Sequence, residues 1–301
     1  MEGVSMKNKK TLYVSDLDGT LLNNDKKITK FTAQVLKSRI EEGMLFTVAT
    51  ARMPYGCDYR LEELHLRTPG IVTNGVFLYD FSKKKNISAQ TISMEAANKV
   101  IDAFRSVNLT CFVYMYNNED ISIFYDNKKL EDQTQYYSER ARKSCIEVSL
   151  CHDVKEQLQK GEVCYLTFTG EKELIERVCC ILNAIEEISY AFYLNIYNGL
   201  YCIEVFSKSA SKKNALRKLM EIVQCEELVV FGDNLNDLSM IEIADRSYAP
   251  SNGLEEVKER VTGVLEDCDH DGVAKFLEAE WKIALNPKNN QYDPEVEIIK
   301  N

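Results

Sequence analysis

The chain is short of the residues from which most metal centres and catalytic triads are assembled. Its 301 residues include only three histidines, His65, His152 and His270. They lie far apart in sequence, so a zinc site or a histidine-dependent triad would need most of them to converge. The ten cysteines form no CxxC pair, and Cys179 and Cys180 adjoin each other in a helical stretch, a poor basis for a disulfide framework and a pattern that reads as reduced thiols. No run approaches the roughly 18 apolar residues of a membrane span. The opening MEGVSMKNKK lacks the apolar stretch of a signal peptide, which predicts a cytoplasmic protein. Low-complexity tracts and repeats at solenoid or propeller periods are also missing. Positive charge is in deficit, 37 basic against 47 acidic residues for a net −10, a balance that repels a polyanion. The lysine runs at 7–10 and 83–85 are short enough to be solvated turns or an arm, so neither nucleic acid nor membrane is an expected partner.

What the chain does hold is ordinary for a folded protein, 45% hydrophobic and 28% charged residues over a length that accommodates two domains. The first eighty residues alternate strand and helix signals, which predicts a parallel sheet covered by helices. Residues 11–16 (TLYVSD) read as a strand ending in an acidic loop. A helix follows from an N-cap at Thr29, with Phe31, Val35, Leu36 and Ile40 on one face and Gly43 after its last turn. Residues 44–50 (MLFTVAT) read as a second buried strand, followed by a short helix with Leu61 and Leu64, a strand at 71–73, a turn at Asn74-Gly75 and a strand at 76–79. From about residue 82 the strands become aromatic and alternating, as in CFVYMY (111–116) and ISIFY (121–125), the pattern of an antiparallel sheet with one face covered. Further strands are expected at 162–169, 189–195 and 200–206, and helices near 93–107, 130–143 and 171–186. Beyond 207 the alternation returns with a helix at 212–223, a strand at 228–233 and a helix at 235–244. The fold class is therefore α/β: a Rossmann-like parallel-sheet core from residues 1–81 and 207–285, an inserted α+β domain at 82–206, and a loosely held polar tail at 286–301.

Four elements carry chemistry, each where a parallel strand ends or a helix begins, the place where open α/β sheets bind ligands. Asp16-Leu17-Asp18-Gly19-Thr20 follows the first strand. Two carboxylates two residues apart can face one cavity, one as nucleophile and the other as general acid and base. Gly19 permits a tight turn whose N–H groups can hold phosphate oxygens. Thr50, at the end of the second strand, can donate its hydroxyl to a phosphate oxygen. Lys212 opens a helix after Ser211, where the dipole disfavours a cation unless an anion is near. Gly232-Asp233-Asn234-Leu235-Asn236-Asp237 follows the apolar strand, and acidic groups beside such a strand call for a compensating cation, a divalent ion being the natural partner. Singly, each element also reads as a turn, a helix cap or a solvent-facing lysine.

Taken together and in this order, the four resemble the motifs of the haloacid dehalogenase-like hydrolase superfamily, most closely its Cof-type sugar-phosphatase branch with a C2-type α+β cap. The resemblance covers nearly the whole chain, with secondary matches at Asn74-Gly75, the turn at 251–253 and DGVAKFL at 271–277. It implies a Mg²⁺-dependent phosphatase acting on a small phosphorylated metabolite, a sugar phosphate or similar phosphomonoester, through an aspartyl-phosphate. A phosphomutase or phosphotransferase using the same intermediate, and a non-catalytic phosphate-binding protein, are the alternatives. Carried onto this chain, the resemblance makes Asp16 the phosphoryl acceptor and a metal ligand, and Asp18 the acid and base, lending its backbone carbonyl to the metal. Asp233 would bind the metal directly and Asp237 would support the metal shell or Lys212. Leu17, Gly19, Thr50, Ala51, Asn74, Lys212 and Asn236 would hold the phosphate or substrate. The departures are Ala51 and Lys213, where the family usually has Gly, and Pro250-Ser251-Asn252-Gly253, where a Met and Asn-Ala are commoner. They bear on loop shape and substrate fit. To act as an acid Asp18 must begin protonated, so the expectation is a desolvated carboxyl pushed up by Asp16. The inserted domain is expected to exclude water and supply specificity; the sequence carries no signal for oligomeric state.

Overall fold

The computed structural model describes residues 9–130, 147–194 and 199–285. They form two compact units, one holding the chain up to Lys84 and again from Ser211, the other Lys85–Ala210. The divisions fall a few residues beyond 81/82 and 206/207. The last strand of the inserted unit runs to Ser207, and a turn closed by the Ala210 N–H on the Ser207 carbonyl belongs with it.

The discontinuous unit is built on a five-stranded parallel sheet. β1 (Thr11–Ser15) is followed by α1 (Lys30–Glu41), β2 (Leu45–Val48), α2 (Pro54–Leu61), β3 (Gly70–Val72) and β4 (Phe77–Asp80). After the insertion come α3 (Lys212–Val223), β5 (Glu227–Phe231), β6 (Arg246–Pro250), β7 (Gly263–Leu265) and α4 (Gly272–Leu285). The sheet order is β7-β6-β5-β1-β2, which puts β1 at an interior position with both faces covered. This explains the near-continuous apolar character of TLYVS and ELVVF. Leu12, Val14, Leu228 and Val230 are fully buried with Leu216 and Leu219 of α3. Each such side chain contributes roughly 1.5–3 kcal/mol by leaving water.

Thr29 caps α1 by accepting the Thr32 N–H, and Gly43 follows the helix with φ +104°. Val35, Leu36 and Ile40 are buried as the periodicity predicts, but Phe31 is 38% exposed and Thr32 and Ala33 take its place in the core. The hydroxyls of Thr29 and Thr32 both donate to Asp271 at 2.6 and 2.7 Å, tying the start of α1 to the start of α4. β3 and β4 form an antiparallel hairpin rather than further strands of the parallel sheet. The expected helix at 235–244 is interrupted: a 3₁₀ turn, Leu235–Asp237, passes into a single helical turn, Leu238–Ile241. The Asp237 side chain accepts the Asn234 N–H, drawing the start of this segment into a tight cap. β6 and β7 escaped sequence reading; RSYAP ends in proline and GVL is too short for a period to show.

In the inserted unit six strands lie in the order Ile188–Leu194, Tyr201–Ser207, Glu162–Gly170, Phe112–Asn117, Asp120–Tyr125, Glu147–Leu150. All neighbours are antiparallel except the last pair, which is parallel. Helices Met94–Ser106 and Lys172–Leu182 pack on this sheet, and Phe104 meets Phe168 edge-on at 6.1 Å. The helix expected at 130–143 lies almost wholly outside the described residues, as do Asn195 at the end of the 189–195 strand and the 286–301 tail. Among the described residues nine cysteines are free, and no helix is long and apolar enough to cross a membrane.

Candidate active site

Parallel register brings the chemistry-bearing loops together. Ser15 at the end of β1 pairs with Phe231 of β5 on one side and Val48 of β2 on the other. The loops starting at Asp16, Ala49 and Gly232 therefore leave the sheet side by side, with strands about 4.8 Å apart. The Asp16 N–H continues the ladder by donating to the Phe231 carbonyl at 2.9 Å.

At this edge the carboxylates of Asp16, Asp233 and Asp237 place oxygens within 4.8 Å of one another. Between two of them lies Lys212, only 2% exposed, with Nζ 2.6 Å from Asp16 Oδ1 and 2.6 Å from Asp237 Oδ1. Lys212 is the first residue of α3, whose N-cap Ser211 accepts the Asn214 N–H. The helix dipole works against a cation there, and the two carboxylates outweigh it and burial, holding the ammonium above its ordinary range. Asp237 is fully buried and has both oxygens engaged: Oδ1 by Lys212, Oδ2 by the N–H groups of Asp233 and Asn234 at 2.9 and 3.1 Å. Its geometry is that of a support which orients Lys212 and the Asp233 loop. Burial pushes the Asp16 carboxyl up to about 7 against the pull of Lys212, with Asp237 and Asp233 adding to the rise. Burial also raises Asp233, to about 6, opposed by the Thr20 hydroxyl, which donates to its Oδ1 at 2.8 Å. Gly19, at φ +86°, lets the loop lie against this carboxylate; a Cβ there would stand 2.5 Å from Asp233 Oδ2.

Asp18 departs from expectation. Its carboxylate is not one of the clustered three but is held in a bidentate pair with Arg52, Nε and Nη2 both at 2.6 Å, with Lys26 at 3.6 Å. Partial burial works against it, but Arg52 and then Lys26 hold the carboxyl below its ordinary value, so the expected raised, protonated Asp18 is corrected to an ionised one. The physical reason is the guanidinium fork, which stabilises the charged form more than partial burial destabilises it. As a metal ligand Asp18 would have only its backbone carbonyl to give. Arg52 was missed from sequence, although an arginine two residues beyond Thr50 was a visible signal.

The remaining residues form the rim. Thr50 is buried and its Oγ1 accepts the Arg52 N–H at 3.1 Å, while its carbonyl accepts the Asn74 N–H at 3.0 Å. Asn236 donates from Nδ2 to Asn74 Oδ1 at 3.2 Å. Thr73, Asn74 and Gly75 all have positive φ. Gly75 is required where it stands, since a Cβ would lie 2.2 Å from the Ser211 carbonyl oxygen; this turn thus abuts the start of the helix carrying Lys212. The Leu17 side chain is fully buried and Ala51 is exposed, so any role of Leu17 toward phosphate is confined to its backbone.

The charge and donor set fit a divalent cation. Three carboxylates against one ammonium leave a formal −2 in a buried place, where burial first and the neighbouring carboxylates after it raise the carboxyls of Asp16 and Asp233. Every candidate ligand atom is a hard oxygen, as Mg²⁺ prefers.

Comparison with known proteins agrees with this geometry. The family model for haloacid dehalogenase-like hydrolases matches residues 13–277. The chain is 27% identical over 285 residues to the 5-amino-6-(5-phospho-D-ribitylamino)uracil phosphatase YwtE of Bacillus subtilis, covering 87% of this chain and 95% of that protein. It is 24% identical over 276 residues to the pyridoxal phosphate phosphatase YbhA of Escherichia coli, with the same two shares. In fold it is similar to TM0651 of Thermotoga maritima, with a TM-score of 0.71 at 24% identity over 90% of this chain and 97% of the other. It is also similar to the subclass IIB sugar phosphatase BT4131, at 0.64 and 20% over 90% and 99%. The protein belongs to the haloacid dehalogenase-like hydrolase family, in its Cof-type branch, and is an enzyme.

Proposed function

We propose that this enzyme is a Mg²⁺-dependent phosphatase of small phosphorylated metabolites, with Asp16 as the covalent nucleophile. The observation that carries the reading is Lys212, buried and ion-paired to Asp16 and Asp237 beside Asp233. A carboxylate attacking a phosphate dianion at about 4 Å meets roughly 8 kcal/mol of repulsion at an effective dielectric of about 20. Lys212 offsets part of it, and Mg²⁺, held by Asp16, Asp233 and the Asp18 carbonyl, would neutralise the rest.

Lys212 grips Asp16 Oδ1 and leaves Oδ2 to the reaction. Attack forms an Asp16–phosphorus bond and breaks the ester P–O bond, and the departing oxygen takes its proton from Asp18. Asp18 then takes a proton from water as that water attacks the aspartyl-phosphate, releasing inorganic phosphate and restoring Asp16. Because the Thr50 oxygen accepts from Arg52, its hydroxyl hydrogen is left to donate to a phosphate oxygen. Asp18 can carry a proton only when Arg52 lets go, and a dianionic ester is a competing partner for both Arg52 and Lys26. In this reading substrate arrival frees the acid.

The phosphatases of phosphorylated metabolites among the relatives support the same substrate class here. Free cysteines suit a reducing compartment, and we place the enzyme in the cytoplasm. The test is a phosphate-release screen over a metabolite panel, with and without Mg²⁺ and with Asp16→Asn as control. Mg²⁺-dependent release that vanishes in the variant is expected. Release that survives either chelation or the substitution overturns the reading.

A further inference from the structure

The turn after β6, whose Pro-Ser-Asn-Gly sequence departs from the family pattern, touches both walls of the carboxylate cluster, and the reaction above gives it no part. Asn252 uses both ends of its carboxamide. Nδ2 donates to the Gly19 carbonyl at 2.8 Å, in the loop that carries Asp16, and Oδ1 accepts the Cys268 N–H at 2.9 Å, in the loop after β7. Two residues on, the Leu254 N–H donates to the Asp233 carbonyl at 2.9 Å. One short turn thus holds the Gly19 loop with a side chain and the Asp233 loop with its backbone. The amide orientation is fixed by its partners, since a carbonyl can only accept and an N–H can only donate. No carboxylate or hydroxyl of similar reach serves both.

Such a brace answers a specific need. Asp16, Asp233 and Asp237 hold like charges within 4.8 Å, and one lysine is their shared counter-charge. Loops under that repulsion relax apart unless tied, and an ion must then spend part of its binding energy drawing them back. Gly19 lies directly against the Asp233 carboxylate, so its position sets the gap between the two loops. We infer that Asn252 is a positioning residue for the divalent-ion site, fixing the Gly19 loop at the spacing from Asp233 that the ion requires. The inference rests on the metal reading given under Proposed function.

The test is calorimetric titration of Mg²⁺ into the wild type and three variants, with circular dichroism to establish folding. Asn252→Ala should bind the ion about tenfold more weakly, within the range for residues that orient metal ligands. Asn252→Asp keeps the acceptor for Cys268 but cannot donate to Gly19, and should lose at least as much; it carries the comparison if the alanine variant does not fold. Asn24→Ala removes the side-chain bond from Asn24 to Asp269 in the adjoining loop without touching Gly19 or Asp233, and should keep wild-type affinity. Affinity of the Asn252 variants within twofold of wild type, or an equal loss in Asn24→Ala, overturns the inference alone. A wild-type chain that takes up no ion overturns the metal reading and this inference with it.

Discussion

Replacing Lys212 with methionine removes an ammonium while keeping an unbranched stem in a site that admits almost no water. Asp16 and Asp237 each lose a partner at 2.6 Å, and three carboxylates within 4.8 Å are left with no counter-charge among them. At that separation each carboxylate pair repels by about 3.5 kcal/mol at an effective dielectric of about 20. Removing one member of a buried ion pair costs about 3–5 kcal/mol for the same reason. The expectation is therefore a loss of about 3–5 kcal/mol in urea unfolding followed by circular dichroism at about pH 8 in a chelator. Because the penalty comes from ionised carboxylates, it should shrink at about pH 5, where the raised carboxyls of Asp16 and Asp233 take up protons. Turnover should fall by roughly 10²–10³, the scale of losing one charge-stabilising donor. A variant as stable as wild type at the higher pH, or one equally destabilised at both, would refute the view that Lys212 compensates this cluster.

Three further outcomes follow from the same geometry. In a chelator the rise of Asp16 from 3.8 to about 7, and of Asp233 to about 6, means the folded state binds protons more tightly than the unfolded one. Stability present below about pH 4 should then be lost as pH rises through about 7, on the order of 4 kcal/mol for Asp16 alone; Mg²⁺ should flatten the melting-temperature profile, and a profile rising over that window contradicts the assignment. Arg52→Ala frees Asp18 from the pair that lowers its carboxyl, so the limb of the kcat/KM profile that reports Asp18 should move to higher pH while KM rises; a profile with neither limb moved would count against Asp18 as the acid. Gly75→Ala places a Cβ 2.2 Å from the Ser211 carbonyl at φ +95°. It should lower stability by about 2 kcal/mol or more and reduce turnover by shifting Lys212, so wild-type melting and activity together would show that the Asn74-Gly75 turn does not set the position of that helix.

Where chemistry coincides with strong local signals, the sequence was readable. The α3 helix was bounded correctly at Lys212 and Val223 because Ser211 is an N-cap and an apolar stripe follows. The meeting of Asp16 with Asp233 followed from both residues ending apolar strands, which parallel register then set side by side. Side-chain direction was not readable. Nothing in DLDGT says that Asp18 turns to Arg52, because that depends on where the loop after β2 delivers a guanidinium. Phe31 shows the same limit in the core: α1 packs through Thr32 and Ala33, the Thr32 hydroxyl also making the link to Asp271, and the aromatic ring is left outside. Asn252 was visible as part of a turn, but its reach to Gly19 spans two separate loops and leaves no trace in spacing.

Asp16 is the nucleophile that receives the phosphoryl group in the proposed reaction, and every other role depends on it. The direct measurement is rapid acid quench of the enzyme with a phosphomonoester it turns over, followed by mass spectrometry of its peptides. A phosphoryl group on the peptide containing Asp16, transient in wild type and absent from Asp16→Asn, is the predicted result. Phosphate released in a resolved single turnover with no adduct at Asp16, or with the adduct on another residue, would contradict it.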